Sequence, residues 1–358
     1  MQIKQLDKAD GEALAAFDLI VDVRSPAEYA EDHVPGAVSL PVLTNEERAE
    51  VGTIYVQESR FRANRIGAAY VARNIARHLE TALADTPPET KILVYCWRGG
   101  QRSNSMATIL SRVGWRTAVL VGGYKTYRRR VREELYDRPR PLKPVLLDGN
   151  TGSGKTEVLA QLAARGLQVI DLEGLACHRG SLFGAMADPQ PSQKLFESCL
   201  LQALERLDPA LPVVIEAESS KVGDRMVPPA LWQAMQTAPR IELVVPRAER
   251  ARYLTEAYGD IIADAAALEE AFRRLPVYPA QKRLIEWRKW IAAGDYVPLA
   301  EALMELHYDP AYARGRRKHG VEPLAQVAID RLDEAGLEAA AEAVAQSVSG
   351  FQRERPTR

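Results

Sequence analysis

One octapeptide constrains this chain more than any other feature. Gly149-Asn150-Thr151-Gly152-Ser153-Gly154-Lys155-Thr156 fits the pattern G-x-x-x-x-G-K-[ST]. It follows the apolar run Val145-Leu146-Leu147 and precedes a helical stretch, Glu157 to Arg165. A glycine-rich loop between a strand and a helix points backbone N–H groups at one spot, and the helix N-terminus adds positive potential there. Phosphate oxygens fit that spot, with Lys155 neutralising them and Thr156 placed to bind Mg²⁺. The chain must therefore fold, in this part, as an α/β structure.

The same alternation runs through the rest of the sequence. Short apolar runs at Leu19–Val23, Lys91–Tyr95 and Thr117–Val121 read as buried parallel strands. Helical stretches lie between them, at Gly67–Leu83 and Ser103–Val113. A break follows at Tyr136–Pro144, where Pro139, Pro141 and Pro144 cannot continue a helix or sit in a central strand. Strands then restart at Val145–Asp148, Gln168–Asp171, Val213–Glu216 and Ile241–Val245. The length of 358 residues suits about two domains at ~150 residues each. With 46% hydrophobic and 27% charged residues, the chain has the apolar material for two cores and is not a disordered one. The expected organisation is an α/β domain with a parallel sheet over 1–135 and a Pro/Arg-rich linker over 136–144. A second α/β domain with the phosphate loop follows over 145–330, then a helical C-terminal extension with a frayed tail over 331–358.

A second candidate site lies in the first domain. The strand Lys91–Tyr95 runs into Cys96-Trp97-Arg98-Gly99-Gly100-Gln101-Arg102-Ser103 and then a helix. Ligands of open α/β sheets bind at the carboxyl ends of strands. Loop N–H groups, the helix N-terminus, Arg98 and Arg102 should all favour the thiolate of Cys96 over its ordinary thiol, pKa ~8.5. The plainer reading is a buried structural cysteine. The neighbouring arginines and glycines favour a reactive one. Cys177 and Cys199 lack such surroundings. Three cysteines, an odd count, argue against a disulfide framework and for a reducing cytoplasm. The first residues, Met1 to Lys8, lack the apolar core of a secretory signal, and no apolar run approaches the ~18 residues of a membrane span.

Acidic and basic residues supply further candidates. A phosphate-loop enzyme that hydrolyses nucleotides usually carries an Asp after its second key strand to hold Mg²⁺. Here Val213-Val214-Ile215 leads into Glu216-Ala217-Glu218, and Asp171 and Glu173 end another strand. Asp171, Glu173 and Glu216 are candidates for acid/base work or Mg²⁺ binding. Helix capping is the structural alternative for the first two. Net charge is −1, so a nucleic-acid site must come from local patches. Tyr124–Lys143 holds eight Lys/Arg against three Asp/Glu, centred on Arg128, Arg129 and Arg130. A second patch contains Arg316, Arg317 and Lys318, and a third, Glu286-Trp287-Arg288-Lys289-Trp290, mixes cations with aromatics. Phosphate neutralisation with base stacking points to RNA. The structural alternative for each patch is a solvated helix face.

The first domain resembles a rhodanese domain. The likeness rests on Asp22-Val23-Arg24-Ser25-Pro26-Ala27-Glu28-Tyr29, His33-Val34-Pro35-Gly36-Ala37, the Cys96 loop and Leu120-Val121-Gly122-Gly123-Tyr124. It implies a loop cysteine that carries sulfur as a persulfide, with Arg24 and Glu28 as scaffold rather than chemistry. A rhodanese domain followed by a P-loop domain, in this order and length, is similar to the tRNA 2-selenouridine synthases. Further marks are Gly122-Gly123-Tyr124-Lys125-Thr126-Tyr127-Arg128, Asp171–Ser181 and His307-Tyr308-Asp309-Pro310.

That resemblance implies replacement of sulfur by selenium at the 2-position of a wobble 2-thiouridine. The sulfur is first geranylated with geranyl diphosphate, and selenium from selenophosphate then displaces the geranylthio group. Cys96 would carry the selenium as an S-selanylcysteine, and Arg98 and Arg102 would hold selenophosphate. The loop Gly149–Thr156 would cradle the diphosphate. The implied substrates are geranyl diphosphate, selenophosphate and a tRNA bearing 2-thiouridine. No cofactor is tightly bound, Mg²⁺ is a candidate ion, and selenophosphate synthetase is the implied donor partner. Two other readings stay open: a sulfurtransferase fused to an ATP-dependent kinase-like domain, and a non-catalytic sulfur carrier or RNA-binding module.

Overall fold

The computed structural model describes residues 3–181, 184, 186, 188–257, 259, 268, 272–273, 275, 279–319 and 322–354, apart from the side chains of 315, 317–319 and 352–354. The chain forms two units, one of residues 1–139 and 191–205, the other of residues 140–190 and 206–358.

The first unit is built on five parallel strands: β1 (Lys4–Leu6), β2 (Leu19–Asp22), β3 (Val38–Ser39), β4 (Lys91–Tyr95) and β5 (Arg116–Leu120). Their order is β1-β5-β4-β2-β3. β4 sits mid-sheet, and Ile92, Leu93, Val94 and Tyr95 are all fully buried, as an apolar strand covered on both faces must be. Five helices connect the strands: α1 (Gly11–Ala15), α2 (Pro26–Glu31), α3 (Asn45–Gln57), α4 (Arg60–Glu80) and α5 (Gln101–Val113). A sixth, α6 (Tyr124–Arg132), follows β5. Thr44 and Glu47 cap the start of α3 reciprocally, and the Ser59 hydroxyl caps α4, so the two helices form a hairpin with sharply defined ends. β1 and β3 escape sequence reading. Each is two or three residues at a sheet edge, held by backbone pairing without an apolar signature.

The second unit repeats the plan. Its strands are β6 (Pro144–Gly149), β7 (Gln168–Ile170), β8 (Val213–Glu216), a small hairpin of β9 (Lys221–Val222) and β10 (Arg225–Met226), β11 (Arg240–Val244) and β12 (Ala325–Ala328). The main sheet is parallel with order β12-β11-β6-β8-β7, which puts β6 and its following loop at the centre. The helices are α7 (Lys155–Ala164), α8 (Leu172–Leu175), α10 (Pro229–Gln236), α11 (Arg247–Ala257), α12 (Gln281–Ala293), α13 (Tyr296–Leu303), α14 (Asp309–His319) and α15 (Glu334–Glu354). The remaining helix, α9 (Gln193–Glu205), belongs to the first unit.

Three expectations change. First, α9 lies in the span assigned above to the second domain, yet it packs in the first unit. Its Ser198 donates to Asp32 at 2.8 Å, and its buried Glu197 accepts from Tyr136 at 2.7 Å and pairs with Arg128. Second, the C-terminal helix is no appendage. Leu337, Ala340, Ala341, Val344 and Val348 of α15 pack with Val158 and Leu162 of α7 and with β11 and β12 in one core. The Ala/Glu-rich stretch has small residues on its inner face, which allows that close packing. Third, the Trp-rich patch of α12 is not a stacking platform. Trp287 is 1% exposed and packs against Phe272 in a separate helical core.

Candidate functional site

Cys96 follows the last residue of β4, where the backbone leaves the sheet. The thiol is 3% exposed. Its Sγ lies 3.3 Å from the Ser103 hydroxyl and accepts the Gly100 N–H at 3.3 Å. Burial pushes the thiol pKa up. Hydrogen bonds from the Ser103 side chain, from the backbone N–H groups of Ser103 and Arg98, and the Arg102 charge outweigh it, and the net shift is downward. The site therefore favours a thiolate. It opens into a cavity of about 450 Å³ lined by Arg48, Trp97, Arg98, Gln101 and Arg102. Sequence reading names Arg98 and Arg102 here but gives Ser103 and Arg48 no role. Ser103 stands in the first turn of α5, and its place in the quoted loop motif was the available signal. Arg48 comes from a helix far away in sequence, and no local pattern points to it.

A second glycine loop supports the first. The Cys96 and Trp97 carbonyls accept the N–H groups of Tyr124 and Lys125 at 2.8 and 3.2 Å. Gly123 has φ +57°, and a Cβ there would stand 2.1 Å from the Cys96 carbonyl oxygen. That explains the pairing of the Cys96 loop with Gly122-Gly123-Tyr124. Beneath it, Arg24 is 1% exposed, ion-paired with Asp22 at 2.6 Å and set 4.0 Å over the Tyr124 ring. Glu28 departs from a pure scaffold role. It pairs with Arg102 at 2.8 Å and so orients a guanidinium of the cavity.

In the second unit, Gly149–Thr156 wraps from β6 into α7. Arg250, 4% exposed, holds the outside of the loop by donating to the Thr151 carbonyl at 3.2 Å. Asp309 accepts from Asn150 at 2.9 Å. The motif His307–Pro310 thereby acquires a physical role, since it carries the carboxylate that organises the phosphate loop. Lys155 donates to the Gly149 carbonyl at 3.2 Å and lies 5.9 Å from the Tyr312 ring. Burial lowers its pKa, but Tyr312, Glu173, Glu218 and Asp148 raise it further, so it stays charged.

The acidic candidates divide. Asp171 caps α8, accepting the Gly174 N–H at 2.6 Å. Glu216 is fully buried and accepts the Leu172 N–H at 2.7 Å. Burial, then Asp171 and Glu173, push its carboxyl well above the usual carboxylate range, and its bond to Leu172 ties the end of β8 to the residue that follows β7. Glu173 faces the cradle. Its pKa is pushed up to about 8 by burial and by Glu218, and Thr156 Oγ1 lies 3.4 Å from its Oε2. Gly180, at φ +64°, closes over the pair, and a Cβ there would stand 2.4 Å from Glu173 Oε1 and 2.8 Å from Glu218 Oε1. This accounts for the glycine in the quoted stretch Asp171–Ser181. Thr156 and Glu173 are the residues that would hold a Mg²⁺ bound together with a substrate phosphate. Among the described residues, no cluster of three or more His, Cys, Asp or Glu could hold a metal on its own.

The cradle opens into a cavity of about 440 Å³ whose lining mixes polar groups, among them Lys155, Thr156, Glu173 and Arg179, with the apolar groups of Tyr253, Leu254 and Ala257.

The basic residues mostly serve the fold. Arg128 pairs with Glu197 and with Asp32 at 3.7 Å, and Arg130 pairs with Glu205 and donates to the Ala9 carbonyl at 2.6 Å. Both hold α6 and α9 in the first unit, a structural role that sequence reading does not give them. They lie on the inner flank of an amphipathic helix, whereas Arg129 is exposed. Arg316 is turned inward as well, donating to Asn150 at 2.7 Å and pairing with Glu242 at 3.0 Å. The side chains of Arg317 and Lys318 lie outside the described residues.

Two family models match the chain: a rhodanese-like domain over residues 3–130 and the tRNA 2-selenouridine synthase AAA domain over residues 142–275. Among curated relatives, a tRNA 2-selenouridine synthase of Cupriavidus pinatubonensis is 36% identical over 337 residues, covering 84% of this chain and 89% of the relative. Others of the same name come from Sulfurovum sp. (36% identity, 67% of this chain, 65% of the relative) and Nitrosomonas europaea (35%, 67%, 63%). The matched segments thus span just under two thirds of those last two relatives.

Proposed function

Since the chain belongs to the tRNA 2-selenouridine synthase family, we propose that it converts 2-thiouridine at the tRNA wobble position to 2-selenouridine in two steps, each served by one unit. The observation that carries this reading is the cavity beside Lys155, whose lining joins the phosphate cradle to the apolar groups of Tyr253, Leu254 and Ala257. An allylic diphosphate has a polar head and an apolar tail to match.

In the first step, the thiocarbonyl sulfur attacks the allylic carbon of geranyl diphosphate. A C–S bond forms, the C–O bond breaks, and diphosphate leaves with the electron pair. The uracil loses its N3 proton, so the product is a neutral S-geranyl-2-thiouridine. Charge develops on the departing oxygens, and the loop N–H groups with Lys155 are preorganised to stabilise it. Thr156 and Glu173 would hold a Mg²⁺, which supplies further positive charge to the diphosphate when bound.

In the second step, Cys96 enters as a mixed disulfide with a small thiol; the selenium of selenophosphate attacks its Sγ, the small thiolate leaves, water cleaves the P–Se bond to release phosphate, and the resulting S-selanylcysteine attacks C2 of the alkylated base. Alkylation has turned a poor leaving group into a geranylthiolate. Arg98 and Arg102 line the Cys96 cavity and would hold the selenophosphate anion, and the lowered thiol pKa favours entry of Cys96 into that disulfide by thiol–disulfide exchange. Geranylthiolate leaves C2 with the electron pair, and a small thiol then attacks Sγ, which frees 2-selenouridine and restores the mixed disulfide.

Nucleoside analysis of tRNA incubated with the protein, geranyl diphosphate, selenophosphate and a small thiol with its disulfide tests this reading. S-geranyl-2-thiouridine should form without selenophosphate, and 2-selenouridine with it. ATP turnover in the absence of tRNA, with no change in the nucleosides, would favour the sulfurtransferase–kinase alternative and overturn the proposal.

A further inference from the structure

The first unit has a second cavity that the reaction as described does not use. It lies between α3 and α4, measures about 690 Å³, and is lined largely by apolar groups, among them Val51, Tyr55, Val56, Ala63, Ala68 and Val71. That volume is in the ~300–1,000 Å³ range of small-ligand sites. Its rim is unusual for a surface: Val56 is 82% exposed, Tyr55 46%, and the nearby Phe61 78%. Large apolar side chains left together in water mark a binding surface.

The groove adjoins the thiol. Arg48, Gln101 and Arg102 line both it and the Cys96 cavity, so one polar wall is shared between the two. The geometry of displacement then selects the occupant. Nucleophile and leaving group sit on the same carbon, so a geranylthio group on C2 starts within bonding reach of the selenium that Cys96 presents. Its chain must run from that point along the nearest apolar surface. The Cys96 cavity itself is walled by arginines, Gln101 and Trp97, whereas the groove past Arg48 and Arg102 is apolar.

We propose that the α3–α4 groove seats the geranyl chain of S-geranyl-2-thiouridine while selenium is exchanged at Cys96. This rests on the two-step reading above. It makes α3 and α4 the element that distinguishes an alkylated base from an unalkylated one, and it places the chain for departure as geranylthiol.

Calorimetric titration of the full chain with two nucleosides, S-geranyl-2-thiouridine and S-methyl-2-thiouridine, tests the proposal. The wild type should bind the geranyl compound at least about tenfold more tightly, since many more apolar carbons leave water. Ala68→Trp fills the groove, and Val56→Glu places a charge at its exposed rim. Both should erase that preference while S-methyl affinity stays within about twofold, and neither touches the buried core. A preference that survives both substitutions, or its absence in the wild type, overturns the proposal. A shift in oligomeric state of Val56→Glu with the preference intact would assign the face to a second copy of the chain and overturn it equally. The same wild-type protein, given geranylated tRNA, selenophosphate and a small thiol with its disulfide, should release geranylthiol. Failure there with the nucleoside preference intact would sink the two-step reading and leave the groove assignment standing.

Discussion

The guanidinium of Arg250 and the carboxylate of Asp309 meet in a paired fork, Nη1 to Oδ1 and Nη2 to Oδ2, both at 2.9 Å. The same guanidinium reaches the Thr151 carbonyl of the phosphate loop. A loop whose N–H groups must point at an anion is thereby held by an ion pair between two helices remote from it in sequence.

Asp309→Ala should therefore loosen the loop. It leaves Arg250, 4% exposed, as an unpaired buried charge, and breaking such a pair costs about 3–5 kcal/mol. Urea unfolding should show that loss, and geranylation should fall with it. Asp309→Asn, which keeps some of the hydrogen bonding, should recover part of both. Unchanged stability in the Ala variant would remove Asp309 from the support of the loop.

Arg128 and Arg129 should behave differently although they are adjacent. Arg128→Ala leaves Glu197, itself buried, without its cation, at a cost of roughly 2 kcal/mol. Its tRNA affinity should change little once the fold is accounted for. Arg129→Ala should leave stability intact and lower the salt dependence of tRNA binding by about one counterion. The check is a pair of binding isotherms over a salt series. Equal salt slopes for wild type and Arg129→Ala would return that side chain to the solvated surface.

Ser103→Ala removes a hydrogen bond that favours the Cys96 thiolate. The thiol pKa should rise, and alkylation of Cys96 by iodoacetamide at neutral pH should slow by about tenfold, given the worth of a hydrogen bond to a charged group. Peptide mass spectrometry separates Cys96 from Cys177 and Cys199. A rate–pH curve that superimposes on the wild type would mean that backbone N–H groups and Arg102 hold the thiolate without help.

What sequence could reveal here depended on range. The central strands β2, β4, β6 and β8 are legible because their apolar runs must be buried on both faces. The octapeptide and the Cys96 loop are legible because each packs its chemistry into eight consecutive residues. Glu218, Arg250 and Tyr312 are different. Their functions arise only when separate elements converge on the cradle, and no local pattern marks them. The arginines of α6 show the opposite case. Three consecutive cations look like one patch in sequence, but at 100° per residue a helix turns Arg128 and Arg130 toward Glu197 and Glu205 and leaves Arg129 in water.

The Glu173–Glu218 pair gives the second unit a pH dependence of definite sign. Burial and Glu218 raise Glu173 from its ordinary 4.5 to about 8. Between those values the folded state binds more protons than the unfolded one, so stability should fall as pH rises through that window. Glu218→Gln removes the like charge and should flatten the fall, leaving the part due to Glu216, which is raised in the same direction. Urea midpoints across the window read this out directly. A midpoint that rises with pH, or a slope untouched by Glu218→Gln, would contradict a Glu173 carboxyl raised by its neighbour.

Lys155→Ala separates the two units chemically. The ammonium faces the cradle with its charge retained, and removing one such stabiliser of developing anionic charge typically costs ~10²–10³ in rate. Geranylation should collapse. The Cys96 loop belongs to the first unit, where the Gly122–Gly123 turn, Ser103 and Arg102 hold it, and none of these depends on Lys155. A tRNA that already carries S-geranyl-2-thiouridine bypasses the damaged step. With selenophosphate and a small thiol with its disulfide present, and ATP absent, Lys155→Ala should then form 2-selenouridine at a rate near the wild type. Cys96→Ser should geranylate normally and yet form no 2-selenouridine from either tRNA. If Lys155→Ala stays inactive on the geranylated tRNA while folded and tRNA-bound, the phosphate loop takes part in the second step too. A requirement for ATP in the wild type would point the same way, because the cradle would then be spending a nucleotide rather than releasing a diphosphate from a prenyl group.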